Sequence, residues 1–258
     1  MTDAAYVLLG LCVSAFLAGA INSIAGGGTL LTFPALLAVV SPVVANGTST
    51  IAVLPGTLAS AWAYKQDVQH PPRLLLWLLA PSALGGLIGT WIVTSTEERI
   101  FAELIPWLIL GAAVLFAIQP VVARLSKAGA VVGEGPLSNG RLAGLAAIQF
   151  AVGVYGGYFG AGMGIMMLSA LAYMGLRNVH EMNSVKTLLG GAINAMAAVL
   201  FIANGKVEWR YAIPMAAAAA IGGYAGARLA LRVESKVVRW VVTAMGFGLA
   251  VYYFAKRV

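Results

Sequence analysis

The sequence predicts an all-α polytopic membrane protein from three observations: a high hydrophobic content, few charges, and long apolar segments at regular intervals. Of the 258 residues, 60% are hydrophobic and 10% are charged, whereas soluble proteins average about 45–50% and about 25%. So few charged groups cannot cover a surface that faces water. The composition therefore excludes a cytosolic enzyme, a disordered segment and a secreted disulfide scaffold.

Ten apolar segments follow one another along the chain, and most approach the ~20 residues that a transmembrane helix needs. They lie near residues 5–25, 29–43, 47–64, 73–94, 99–122, 141–159, 162–176, 182–203, 210–230 and 236–255. Segments 29–43 and 162–176 are short and follow Gly-rich breaks, so whether they cross fully stays open. The sequence thus predicts about 8–10 transmembrane segments. The first is predicted to be a membrane segment rather than a cleavable signal peptide, because no positive residue precedes it.

The net charge of +7 is spread singly over short loops. This pattern predicts no nucleic-acid partner and indicates charges that set membrane orientation. With ten crossings and the N-terminus outside, ten basic residues lie inside and five outside, with Lys186 set aside among the 16 Lys and Arg residues. If each Gly-broken pair crosses once, the division becomes nine against six. The positive-inside rule therefore favours ten crossings with both termini outside.

The polar segment 124–140 divides the chain into two similar halves of five segments each, residues 1–123 and 141–258. Phe16, Gly19, Gly26 and Gly28 recur 134 residues later as Phe150, Gly153, Gly160 and Gly162. Gly47-Thr48 aligns with Asn183-Ser184 at an offset of 136, and ALGGLIG at 83–89 aligns with AIGGYAG at 220–226 at an offset of 137. Since five is an odd number, the second half enters the membrane from the opposite face. The sequence therefore predicts two inverted repeats with Gly-broken helices at the centre, an arrangement typical of secondary transporters.

The two Gly-rich breaks are AINSIAGGGTLLTFP at residues 20–34 and YGGYFGAGMGIM at 155–166. Glycine exposes backbone N–H groups, and the helix that starts after each break carries a partial positive charge at its N-terminus. Such a site attracts an anion. Bare backbone at membrane depth is tolerated only inside protein or beside a water-filled cavity. The breaks therefore predict an anion site, with plain interhelical turns at the surface as the alternative.

Polar residues follow each break. Asn46-Gly47-Thr48-Ser49 and Asn183-Ser184 are predicted to begin the third and eighth segments as N-caps, and their side chains are also candidates to hydrogen-bond an oxyanion. Lys186 falls within a membrane segment, where an ionisable residue indicates function, or else its side chain extends to the interface. None of the nine acidic residues lies deep in a segment. This favours an anionic substrate. No catalytic motif or metal-ligand cluster occurs, so no enzymatic activity, cofactor or metal is predicted.

The first break followed by Pro34, a short spacer and ANGTS resembles the sulfite exporter TauE/SafE family, also called the four-toluene-sulfonate uptake permeases. The second half fits less closely, with Ser169 near the place of Pro34 and Asn183-Ser184-Val185 in place of a G-T-S sequence. The resemblance implies a carrier in the bacterial inner membrane for small sulfur-containing anions such as sulfite, sulfonates and sulfoacetate.

The predicted function is therefore a secondary transporter of such an anion by alternating access, with a passive anion channel or a non-transporting membrane subunit as the alternatives. Its predicted partners are the anion and the lipid bilayer, and a homo-oligomer is left open. The predicted substrate-binding residues are the break glycines and the polar residues near them: Asn22, Gly26, Gly27, Gly28, Thr29, Asn46, Gly47, Thr48, Ser49, Tyr158, Gly160, Gly162, Gly164, Asn183, Ser184 and Lys186.

Overall fold

The computed structural model describes residues 2–24, 26–64, 72–129, 139–173, 179–229 and 235–256, and within these ranges the chain forms ten α-helices. They are α1 (Thr2–Ile24), α2 (Thr29–Leu37), α3 (Pro42–Ala63), α4 (Pro72–Ser95), α5 (Glu98–Gly129), α6 (Asn139–Tyr158), α7 (Met163–Tyr173), α8 (Val179–Ala203), α9 (Trp209–Leu229) and α10 (Ser235–Lys256). Each predicted apolar segment corresponds to one helix, which confirms the all-α prediction.

The short helices α2 and α7 contain 9 and 11 residues. At about 1.5 Å per residue they extend ~14 and ~17 Å, about half the hydrocarbon core of ~30 Å. The prediction of ten full helical crossings is therefore wrong, because α2 and α7 are too short to span the hydrocarbon core. Five described helices are long and apolar enough to span a membrane, namely α1, α4, α5, α8 and α10.

Two predicted boundaries change. Helix α3 begins at Pro42, so the run 46–49 lies in its second turn, and α8 begins at Val179, before Asn183. The N-cap prediction is therefore wrong for both runs. Pro42 starts α3 earlier, at the helical position that proline favours, and α8 likewise starts earlier, at Val179. Helix α5 continues to Gly129 and α6 starts at Asn139, while residues 130–138 of the predicted linker lie outside the described residues.

Close contacts between small residues join α1 to α9. A Cβ added to Gly222 would overlap the carbonyl oxygen of Phe16, and one added to Gly226 would lie 2.5 Å from Ala20 Cα. The residue numbers rise together along both helices, so α1 and α9 run parallel. Glycine lets the two backbones touch, as expected for helix packing in a membrane.

The same contact recurs between α6 and α4. A Cβ on Gly85 would overlap the carbonyl oxygen of Phe150, and one on Gly89 would overlap that of Val154. The two aligned glycine blocks, residues 83–89 and 220–226, are therefore packing surfaces: the fourth helix of each half packs against the first helix of the other half.

The directions of α3 and α8 follow from contacts at their ends. Ser184 Oγ donates a hydrogen bond to Tyr64 O (3.2 Å) at one end, and Gly47 packs against Phe201 at the other, so these helices are antiparallel. Thr48 Oγ1 accepts the N–H of Glu208 (2.9 Å), which brings together the starts of α3 and α9.

Helices α1, α3 and α9 therefore all point the same way. It follows that α1 and α2 together return the chain to the end of the bundle where α1 began. For the first Gly-broken pair, this path favours the alternative in which the chain does not end on the opposite side after α2.

The outer surface of the bundle is apolar, as a surface in contact with lipid must be. All six tryptophans are exposed by 47–66%, and many leucine, isoleucine and valine side chains are exposed with them. Several lie close to helix ends, as in the aromatic belts of membrane proteins. The multi-pass membrane protein predicted from composition thus has its polar groups inside.

We expect Gly222→Ala to lower the free energy of unfolding by about 1–3 kcal/mol, because the added methyl group must displace the α1 backbone. The matched control is Gly248→Ala on α10, where an added Cβ meets no atom within 4 Å. Thermal unfolding followed by fluorescence-detected size-exclusion chromatography compares the two variants. Equal melting temperatures would contradict the tight α1–α9 contact.

Candidate functional site

A cavity of about 30 Å³ lies at the centre of the bundle, between the two breaks and helices α3 and α8. This volume accommodates about two water molecules. Its lining combines backbone at both breaks with polar side chains and two methionines. The lining residues are Asn22, Gly26, Gly27, Thr29, Thr57, Ser60, Gly160, Met163, Gly164, Met167, Lys186, Thr187, Gly190 and Asn194.

The two breaks touch each other. A Cβ on Gly26 would lie 2.9 Å from Gly164 Cα, and one on Gly160 would lie 3.8 Å from Thr29 Oγ1. Gly26 and Gly160 have positive φ angles of 75° and 79°, which residues with a side chain rarely adopt. Both breaks are buried, so the alternative of plain turns at the surface is wrong.

The amides of the first break are already occupied. Asn22 Oδ1 accepts hydrogen bonds from Gly27 N (2.9 Å) and Gly28 N (2.8 Å). The prediction that these amides face an anion is therefore wrong, because the side chain of the preceding helix folds back onto them.

The second break has the same backbone path without that side chain. Gly160 N donates to Tyr155 O (3.2 Å), just as Gly26 N donates to Ile21 O (3.1 Å). At an offset of 134, however, the counterpart of Asn22 is Gly156. Among the described residues no acceptor meets the amides of Ala161 and Gly162. Unlike the amides of Gly27 and Gly28, these two therefore have no acceptor among the described residues, although neither Ala161 nor Gly162 lines the cavity.

Lys186 is 4% exposed and lines the cavity, so the prediction that it extends to the interface is wrong. Its Nζ donates to Asn22 O (3.0 Å), Ser23 O (3.3 Å) and Asn183 Oδ1 (3.0 Å). The two carbonyls belong to the last turn of α1, which has no intrahelical donor for them. All three acceptors are neutral, and no carboxylate of the described residues pairs with Lys186. The ammonium thus caps α1 and places a positive charge beside the cavity.

The other predicted site residues contact protein groups instead of lining the cavity. Asn46 Nδ2 donates to Tyr158 O (2.8 Å), and Ser49 Oγ lies 2.6 Å from Thr32 Oγ1. The ring of Tyr158 packs edge-on against Phe101, with the centroids 5.8 Å apart. Gly28, Gly47, Thr48, Gly162, Asn183 and Ser184 likewise lie outside the lining.

The sequence prediction did not include several polar lining residues, Thr57, Ser60, Thr187 and Asn194 among them. A signal for two of them was present, because Asn183, Thr187, Gly190 and Asn194 follow each other at spacings of three or four residues. Such spacing places them on one face of a helix. In an apolar helix, a polar face indicates the side turned towards the protein interior.

Comparison with known proteins identifies the family of this chain. The model of the sulfite exporter TauE/SafE family matches residues 11–253. The chain belongs to the sulfite exporter TauE/SafE family. This membership confirms the resemblance seen in the sequence, and the chain is a membrane transporter of the TauE/SafE type.

Curated relatives of the family share most of this chain. A probable membrane transporter protein of Haemophilus influenzae is 30% identical, and the alignment covers 92% of this chain and 89% of the relative. One from a Sinorhizobium species is 26% identical over 99% and 95% of the two chains. The probable membrane transporter protein YfcA of Escherichia coli K12 is 29% identical over 87% and 81%.

Asn22→Ala should lower the free energy of unfolding by about 1–2 kcal/mol, because the amides of Gly27 and Gly28 lose their acceptor inside the protein. Asn22→Asp keeps an acceptor oxygen and should lose less. Asn204→Ala, at an exposed asparagine, is the control. Thermal unfolding of the three purified variants measures the effect, and an Asn22→Ala protein as stable as the control would refute the capping role.

Proposed function

We propose that this family member is a secondary transporter that carries a small sulfur-containing anion, such as sulfite or an organosulfonate, across the bacterial inner membrane by alternating access. One observation carries the proposal: the buried ammonium of Lys186, without a carboxylate partner among the described residues, beside a cavity where two broken helices meet. A buried charge in a membrane protein indicates a substrate or ion pathway.

The groups around the cavity suit an oxyanion. Lys186 supplies a positive charge, and the second break contributes Gly160, Met163 and Gly164 to the same lining. The Thr29 hydroxyl and the Asn194 amide also line the cavity, and neither side chain has a hydrogen-bond partner among the described residues. Hydrogen bonds to an ionised acceptor are roughly twice as strong as those between neutral groups. An anion with several equivalent oxygens, as in sulfite or a sulfonate, can contact the charge and several polar groups at once.

The size of the cavity favours a carrier over a channel. Space for about two water molecules is less than a sulfur oxyanion occupies, so substrate entry requires the breaks to separate. In alternating access this separation occurs on one side of the membrane at a time.

We infer that the two halves are an inverted repeat and that they move relative to each other. Two findings support the inference: α3 and α8, the third helix of each half, are antiparallel, and the contacts of α1 with α9 recur between α6 and α4. Inverted repeats bind substrate where the halves meet, near the bilayer midplane. Residues of both halves line the cavity, which supports this inference. The positive-inside rule further predicts that the N- and C-termini are outside.

Purified protein in proteoliposomes should transport sulfite or a small sulfonate with saturable flux, and substrate on the opposite side should accelerate exchange. Both features arise because a carrier has one binding site that faces each side in turn. Radiolabelled flux against substrate concentration measures them. Flux that does not saturate would indicate a channel instead, and no flux for sulfite, thiosulfate, sulfonates or carboxylates would indicate a non-transporting subunit.

Lys186→Gln should raise the Kd of the transported anion at least about tenfold, because it removes the positive charge beside the cavity. Unit charges ~4 Å apart attract by about 4 kcal/mol in a protein environment, and ~1.4 kcal/mol corresponds to a factor of ten. Arg99→Gln removes an exposed positive charge and serves as the control. Ligand-induced thermal shifts give both affinities, with gel filtration to verify folding. An unchanged Kd in Lys186→Gln would remove the lysine from the binding site.

A further inference from the structure

The amide of Asn46 has one buried oxygen without a partner. The residue is 1% exposed, and its Nδ2 donates to Tyr158 O (2.8 Å), in the last turn of α6. If the amide were flipped, Asn46 Oδ1 would face the carbonyl oxygen of Tyr158, and two acceptors would be in contact. The bond from Nδ2 to Tyr158 O therefore determines the orientation of the amide. Oδ1 accepts no hydrogen bond among the described residues. An unsatisfied buried acceptor is costly, and such an atom in a native protein requires an explanation.

The other half of the molecule contains the equivalent amide. Thr50 Oγ1 donates to Asn46 O (2.9 Å), and Thr187 Oγ1 donates to Asn183 O (2.6 Å). These bonds align α3 with α8 at an offset of 137, one residue more than the sequence comparison indicated. Asn183 is therefore the counterpart of Asn46, and Lys186 is the counterpart of Ser49.

The two amides differ in what their oxygens bind. Asn183 Oδ1 accepts from the ammonium of Lys186, which also binds the last-turn carbonyls of α1. Asn46 lies at the last turn of α6, the helix that corresponds to α1. Here Ser49 replaces the lysine, and its short side chain leaves the amide oxygen without a cation. The atom that binds a positive charge in one half is thus the unsatisfied atom in the other.

We propose that a small monovalent cation, Na⁺ in the first instance, binds at Asn46 Oδ1 at the C-terminal end of α6. Ser49 follows Asn46 by three residues on α3, and its hydroxyl lies 2.6 Å from that of Thr32 on α2. Both residues are fully buried, and hydroxyl oxygens are hard ligands of the kind that such cations prefer. The helix C-terminus contributes a partial negative charge, and the C-terminal ends of broken helices coordinate Na⁺ in other transporters. The group contains no carboxylate, which suits a single positive charge.

This inference goes beyond the anion proposal and can be tested without any anion substrate. One half would then contain a tethered cation, the ammonium of Lys186, and the other an exchangeable one. Because the second cation can leave, its binding and release provide a means of coupling transport to an ion gradient.

The experiment measures thermal unfolding of the purified full-length protein as choline chloride is replaced by NaCl at constant ionic strength. Sodium should raise the melting temperature with a saturable dependence, because a ligand that binds only the folded state stabilises it. Ser49→Lys places an ammonium on the position equivalent to Lys186 and should abolish the sodium response. Ser95→Lys adds a lysine at an exposed position and should keep the response.

Asn46→Asp provides a second variant that does not depend on the folding of Ser49→Lys. A carboxylate beside the cation should shift the sodium titration to concentrations about tenfold lower, because unit charges at this distance attract strongly. Identical stability of the native sequence in sodium and choline would overturn the proposal, and so would a full sodium response in folded Ser49→Lys. A titration midpoint that Asn46→Asp leaves unchanged would place the ion elsewhere and would overturn it too.

Discussion

The contact between the Lys186 ammonium and the last turn of α1 is the interaction on which the centre of this protein depends. A helix that ends inside a membrane leaves carbonyl groups that water cannot reach, so the protein itself must satisfy them. Lys186 does this for Asn22 and Ser23, while the Asn22 side chain satisfies the amides on the other side of the break. The first break is thereby closed, and a positive charge is held beside the cavity.

The two halves share a scaffold but differ in their central residues. Glycine contacts between α1 and α9 are repeated between α6 and α4, so the packing of the halves is nearly equivalent. At the centre, Gly156 takes the place of Asn22, and Ser49 takes the place of Lys186. The equivalence provides two broken helices that meet. The differences give each break its own chemistry: the Asn22 side chain closes the first, and an unsatisfied acceptor on Asn46 lies at the end of α6 before the second.

Much of this protein was predictable because membrane solvation constrains sequence so strongly. The apolar segments, the two breaks and the glycine packing blocks all follow local rules of helix length and residue size. The hydrogen bonds from the amides of Gly27 and Gly28 to Asn22 were not predictable, because an asparagine at this position could equally well contact a ligand. Likewise, Asn46, Thr48 and Ser49 suit an oxyanion as well as they suit the protein groups that they contact here. A residue type shows what a side chain can bind, and only its neighbours select among those partners.

The sequence by itself determined that the chain is a helical membrane protein and that two glycine-rich segments interrupt its helices. It also determined that Lys186 is a charged residue within an apolar segment. These properties depend on composition and on order along the chain. The tertiary structure alone decided that the two breaks touch, that Lys186 points inward at the end of α1, and that Asn46 bonds the end of α6. These depend on which helices meet across the two halves, because hydrogen bonds between residues more than 100 positions apart cannot be inferred from local patterns.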